Sequence, residues 1–129
     1  MNNFKYYQPN TKDLKDVYGD CVMRALTKVM GKTWLEVFDE ITPISREMQC
    51  PFNSKACYEN YLNSNGFEYV GISNKKGTKR PTVKEFALKH REGVFYLNVA
   101  NHCVAVVNGI YYDTWDCGYK SLYGYWVQK

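Results

Sequence analysis

Apolar residues along this chain keep two rhythms. Through most of the first ninety residues they recur every three or four positions; from Gly93 onward they alternate or run together. The first spacing marks helices with one buried face and the second marks strands. Val22, Ala25, Leu26 and Val29 share one face of a helix that Gly31 stops. Asp20 stands where its carboxylate can cap the amides of that helix's first turn. Thr33 and Glu36 form a capping box for a second helix, whose stripe Trp34, Val37, Phe38 and Ile41 is expected to end at Thr42 and Pro43. Ser54 is placed to cap a third, through Cys57, Tyr58, Tyr61 and Leu62, closing at Asn65 and Gly66.

Residues 67–72 read as a strand, and Thr82 with Glu85 opens a short helix to about His90. Its inner face carries Val83, Phe86, Ala87 and His90. Four strand-like runs follow: VFYLNVA, HCVAVV, IYYDTW and YGYWVQ. Asn108 and Gly109 between two apolar runs are a strong hairpin signal. Residues 1–17 read as irregular, with NTKD as a turn or the start of a short helix. Helices first and an antiparallel sheet afterwards predict a single α+β domain spanning residues 1–129.

Composition narrows the classes of function. A 45% hydrophobic and 16% aromatic content belongs to a globular chain that buries a core. No apolar run approaches a membrane span, and the N-terminus lacks the pattern of a signal peptide, so a cytoplasmic protein is expected. The net charge of +4 is modest, and its one basic cluster, Lys75, Lys76, Lys79 and Arg80, sits in a Gly- and Pro-marked loop. Nucleic-acid binding is therefore not the leading expectation. The five cysteines, at 21, 50, 57, 103 and 117, are odd in number, contain no CxxC and match no compact metal-ligand spacing. Free thiols, with neither metal nor cofactor, are the expectation.

One of those thiols is unusually placed. In YGDCVMRAL, Cys21 occupies the first turn of a helix, where the helix dipole favours a thiolate. A nucleophilic cysteine needs a base, and the base needs an orienting group. A two-residue turn at Asn108 and Gly109 pairs Val107 with Ile110, Val106 with Tyr111 and Val104 with Asp113. His102 then lies opposite Trp115, and His102 and Asp113 become diagonal neighbours on one face, with backbones roughly 7–8 Å apart. A slip of one residue would separate them. The second histidine, His90, is read as a helix C-terminal residue bonded to the last carbonyls.

With Cys21, His102 and Asp113 in this order, the chain resembles the papain-like cysteine peptidase superfamily. GDC opening a helix is similar to its nucleophile helix, and HCVAVVNGIYYDTWD to its His strand, turn and Asp strand. The size is nearest to small bacterial peptidases that process bacteriocin leaders, and DCVMRAL with GKTWLEV resembles compact papain-like proteins of bacteriophages and some bacteria. The resemblance implies a papain-like fold and a thiolate–imidazolium pair of Cys21 and His102, with Asp113 orienting the ring. It further implies a peptide or protein substrate, cleaved at a peptide or isopeptide bond through a thioester, in the host cytoplasm if the chain is phage-encoded.

In that superfamily a Gln about six residues before the cysteine donates to the oxyanion; here Lys15 stands there. Asn10 and Gln8, in the preceding loop, are the candidates to replace it, Asn10 being favoured. Arg24, Tyr111 and Trp115 are candidates to line the substrate cleft; the alternatives are an Asp20 pair for Arg24 and sheet packing for the two aromatics. Two other readings remain open. The same triad serves an acyl transferase, deamidase or transglutaminase-like enzyme, and an inactive phage-type protein could instead bind a host partner.

Overall fold

The computed structural model of this protein describes residues 2–73, 75, 77 and 79–129. Strand β1 (Phe4–Tyr6) is followed by a short 3-10 turn (Asp13–Asp16) and three helices, α1 (Cys21–Met30), α2 (Trp34–Met48) and α3 (Lys55–Ser64). Then come β2 (Phe67–Gly71), α4 (Val83–Lys89), β3 (Val94–Val99), β4 (His102–Val107), β5 (Ile110–Asp113) and β6 (Leu122–Gln128). The strands form one sheet in the order β1-β5-β4-β3-β6-β2, antiparallel except where β1 runs parallel to β5. The architecture is α+β.

Alternation along the central strands divides the core in two. Tyr96 of β3, Cys103 and Ala105 of β4 and Trp126 of β6 pack with α1, α2 and α3. Phe95 and Leu97 of β3 and Val104 and Val106 of β4 turn to the other face, beneath Val83, Phe86 and Ala87 of α4. Both faces are covered, which is why β4 reads as a continuous apolar run. The hairpin has the expected register, with Val107 opposite Ile110 and Val106 opposite Tyr111, and Asn108 and Gly109 both take the positive φ that such a turn requires.

Four local expectations need correction. Residues 4–6 are not irregular: β1 joins the sheet, Phe4 opposite Tyr111 and Tyr6 opposite Asp113. A three-residue strand is too short to show a period, and only its pairing partner makes it a strand. Helix α2 passes through Pro43 and runs on to Met48. Proline cannot donate to the carbonyl four residues back, but Asp39 and Pro43 are both exposed, so water can serve that carbonyl. Burial of Ile41 and packing of Ile44 then reward continuation. Asp20 and Ser54 stand at the N-cap positions of α1 and α3, yet neither side chain caps. The Asp20 carboxylate accepts from Arg24, and the Ser54 hydroxyl donates to the Pro51 carbonyl. Both Thr–Glu capping boxes form as expected.

His90 is the C-cap residue of α4; its Nδ1 donates to the Phe86 carbonyl at 2.8 Å and its ring stacks on Phe86. In the basic loop, Lys75 and Lys79 are exposed and Arg80 lies over the Tyr123 ring; Lys76 lies outside the described residues. No helix among the described residues is long and apolar enough to cross a membrane.

Candidate active site

Helix α1 begins at Cys21, and β4 packs against it more extensively than any other strand. This packing carries His102, the first residue of β4, toward the head of the helix. His102 and Asp113 both sit at the rim of the sheet, since β4 starts at one and β5 stops at the other. There they meet residues of α1, although Val104, Val106 and Tyr111, their partners in alternation, lie under α4.

The His102 Nε2–H donates to Asp113 Oδ2 at 2.5 Å. That contact fixes the tautomer and leaves Nδ1 for other partners. Asp113 is fully buried, and its second oxygen accepts from the Thr114 amide at 2.7 Å and from Arg24 Nη2 at 3.0 Å. Arg24 also pairs with Asp20 at 2.9 Å, so one guanidinium ties the start of α1 to the end of β5. The backbone of Asp113 is held as well, its carbonyl accepting from the Tyr7 amide just beyond β1. A buried carboxylate with this many donors stays ionised. Burial works against the charge, but His102 first, then Cys117 and Arg24, hold the pKa below the ordinary value.

The same logic charges the imidazole. Burial disfavours a cationic His102, yet the hydrogen bond to Asp113 and the interaction with Cys21 outweigh it and raise its pKa to about 9. Cys21 moves the other way, to about 4. The Cys103 thiol is the largest cause and His102 the next favourable one, against a burial penalty. Cys103 itself is pushed up, chiefly by Cys21, and stays protonated, its Sγ donating to Asn98 Oδ1 at 3.9 Å. No hydrogen bond of ordinary geometry joins the Cys21 sulfur to the His102 ring. At neutral pH the arrangement favours a thiolate beside an imidazolium beside a carboxylate.

The cleft residues separate clearly. Trp115 packs its ring 5.0 Å from that of His102, is 39% exposed, and lines a cleft with Cys21, His102, Gln8 and Lys15. Asn10 lies in a different cavity of the Cys21 neighbourhood, where its side-chain oxygen accepts from the Lys12 amide. The Gln8 side-chain oxygen accepts from the Asn10 amide. Arg24 reaches the cleft but is buried, its guanidinium engaged by two carboxylates, so it is a support of the site more than a lining. Tyr111 requires correction: it is buried on the α4 side, donates to Asp116, and does not line the Cys21 cleft. Alternation predicted a shared face with His102, but that face is covered by α4 at Tyr111 and open only at the strand ends.

Two partners escaped the sequence reading. Alternation along β4 puts Cys103 on the opposite face from His102, and nothing in its spacing relates it to Cys21. The Arg24–Asp113 bridge joins residues 89 positions apart; only the pairing of Arg24 with Asp20 is local. His102, Asp113 and Cys117 also place three potential metal donors within 4.8 Å of one another. His102 Nε2 and both Asp113 oxygens are engaged in hydrogen bonds, and burial raises the Cys117 pKa. Comparison with protein-family models, curated proteins and solved structures gives no match to this chain.

Proposed function

We propose that this protein is a cysteine hydrolase of papain-like type that cleaves a peptide or isopeptide amide bond. The observation carrying this reading is the 2.5 Å contact of His102 with buried Asp113, at the head of the helix that begins with Cys21. A buried carboxylate holding an imidazole beside a thiol of depressed pKa is an arrangement for nucleophilic catalysis.

The Cys21 thiolate attacks the amide carbonyl carbon, and the negative charge moves to the carbonyl oxygen. No side chain caps α1, so the amides of its first turn, that of Cys21 among them, are available to that oxyanion. Lys15 and Gln8, which line the same cleft, are within its surroundings and can add a further donor. His102, protonated, gives its proton to the departing amine as the carbon–nitrogen bond breaks and a thioester forms. Neutral His102 then takes a proton from water, whose oxygen attacks the thioester carbon and releases the acid. Asp113 keeps the ring oriented through both steps and stabilises its charged form whenever it holds the proton. An amine in place of water would make the enzyme a transferase; the triad does not choose between them.

Alkylation by iodoacetamide at about pH 6, mapped by mass spectrometry, tests the nucleophile. Cys21 is expected to label well ahead of Cys50, Cys57, Cys103 and Cys117. Equal, slow labelling of all five thiols overturns the reading.

A further inference from the structure

Three cavities meet at the head of α1, and Cys21 is the one residue that lines all of them. They differ in chemistry. Two are polar: one runs past Lys15, Arg24 and His102, the other past Asn53, Lys55 and Asn98. The third, of about 350 Å³, is walled by Leu14, Tyr18, Val22, Met23, Trp34 and Phe52. Its volume falls in the range of ligand pockets, and apolar walls with a few polar groups are what such pockets present.

The aromatic wall is assembled before anything enters. Trp34 stacks on Phe38 with ring centroids 5.3 Å apart, and Phe38 meets Phe52 edge-on at 6.0 Å. The opposite wall comes from the segment just before the nucleophile, where Leu14 is 58% and Tyr18 69% exposed. Large apolar side chains left open beside a cavity, in a segment with no core of its own, mark a surface meant to be covered. Besides the Cys21 sulfur, Asp20 is the one charged side chain among the lining residues, and Arg24 holds its Oδ1. An acidic substrate group would lose water there and meet no free cation, and a basic one would have little beyond the single Asp20 Oδ2 to replace its hydration.

Resting on the hydrolase reading above, we infer that this cavity is a substrate subsite for a bulky apolar side chain, aromatic or branched aliphatic, of a peptide residue beside the scissile bond. It gives the site a polarity: an apolar pocket to one side of Cys21 and polar clefts to the others.

The test uses the full chain and a set of peptidyl acyloxymethyl ketones, which alkylate an active-site thiolate with loss of a carboxylate. The members differ only in the residue beside the electrophile: Phe, Leu, Ala, Asp or Lys. Phe and Leu probes are expected to label Cys21 roughly 10- to 100-fold faster than Asp or Lys probes, the ratio expected for burying one such side chain. Leu14→Lys changes an exposed residue, and circular dichroism verifies its fold. It is expected to slow the Phe probe at least about tenfold and narrow or invert its lead over the Asp probe. A flat series, a lead for the charged probes, or an unaltered series in the folded Leu14→Lys variant overturns the subsite. Selective iodoacetamide labelling of Cys21, measured in parallel on the unaltered chain, separates the two failures. If it is retained while the series is flat, the subsite alone fails; if it is absent, the nucleophile reading fails with it.

Discussion

Arg24 Nη2 stands 3.0 Å from Asp113 Oδ1, with both side chains buried, and this bridge joins the helix of Cys21 to the hairpin of His102. A buried carboxylate facing only an imidazole would have to share that partner's proton. With Arg24 and the Thr114 amide on one oxygen, the other is free to serve His102 alone. The guanidinium also holds Asp20, immediately before Cys21, so one side chain sets the separation of the candidate site's two halves.

Removal of Arg24 leaves two buried or half-buried carboxylates without their cation. Arg24→Ala is expected to lower stability by about 3–5 kcal/mol, the usual cost of stripping one partner from a buried pair. Arg24→Lys is expected to recover only part of this, because one ammonium cannot reproduce the fork that spans Asp20 and Asp113. Urea denaturation of the three proteins checks both statements.

Cys103 bears on the ionisation of Cys21. Its thiol is the largest cause of the lowered Cys21 pKa, so Cys103→Ala is expected to raise that pKa; a rise of one pKa unit slows alkylation of Cys21 roughly tenfold below pH 4 and leaves the rate at pH 6 nearly unchanged. Alkylation rates from below pH 4 to pH 9 measure the shift, and an unchanged profile would show that His102 alone activates the sulfur.

Hydrolysis in the proposed manner needs Cys21 deprotonated and His102 protonated. Cys21 loses its proton at about 4 and His102 keeps its own to about 9, so activity is expected to fall below the first and above the second. The two limits belong to the coupled pair. Asp113→Asn removes the carboxylate charge that strengthens its hydrogen bond to His102 and raises the His102 pKa, and is expected to move the upper limit down toward the ordinary histidine value of about 6.5. Nuclear magnetic resonance titration of the His102 ring reads that shift independently of any substrate.

Pro43 interrupts the hydrogen-bond ladder of α2 on its exposed side. Pro43→Ala restores the donor to the Asp39 carbonyl and is expected to stabilise the protein by about 1–3 kcal/mol. Thermal unfolding followed by circular dichroism tests this, and a loss of stability would mean that the proline ring packs usefully where it stands.

Much of this protein is determined by sequence alone, wherever the cause is local. The two Thr–Glu capping boxes lie within four residues of themselves, and the Asn108–Gly109 turn dictates the register of β4 on β5. That turn brings His102 within reach of Asp113 because side-chain alternation follows directly from pairing. What the tertiary structure decided is everything whose reward is distant. Strand β1 exists because β5 offers it an edge, and α2 outlasts its proline because Ile41 and Ile44 find a core. Asp20 and Arg24 turn from capping and surface pairing to a buried network because Asp113 arrives between the elements. Cys103 becomes a neighbour of Cys21, and Tyr111 is taken from the cleft, because helices cover the two faces of the sheet unequally at its rim. Periodicity states which side of an element is apolar; only packing states what that side will touch.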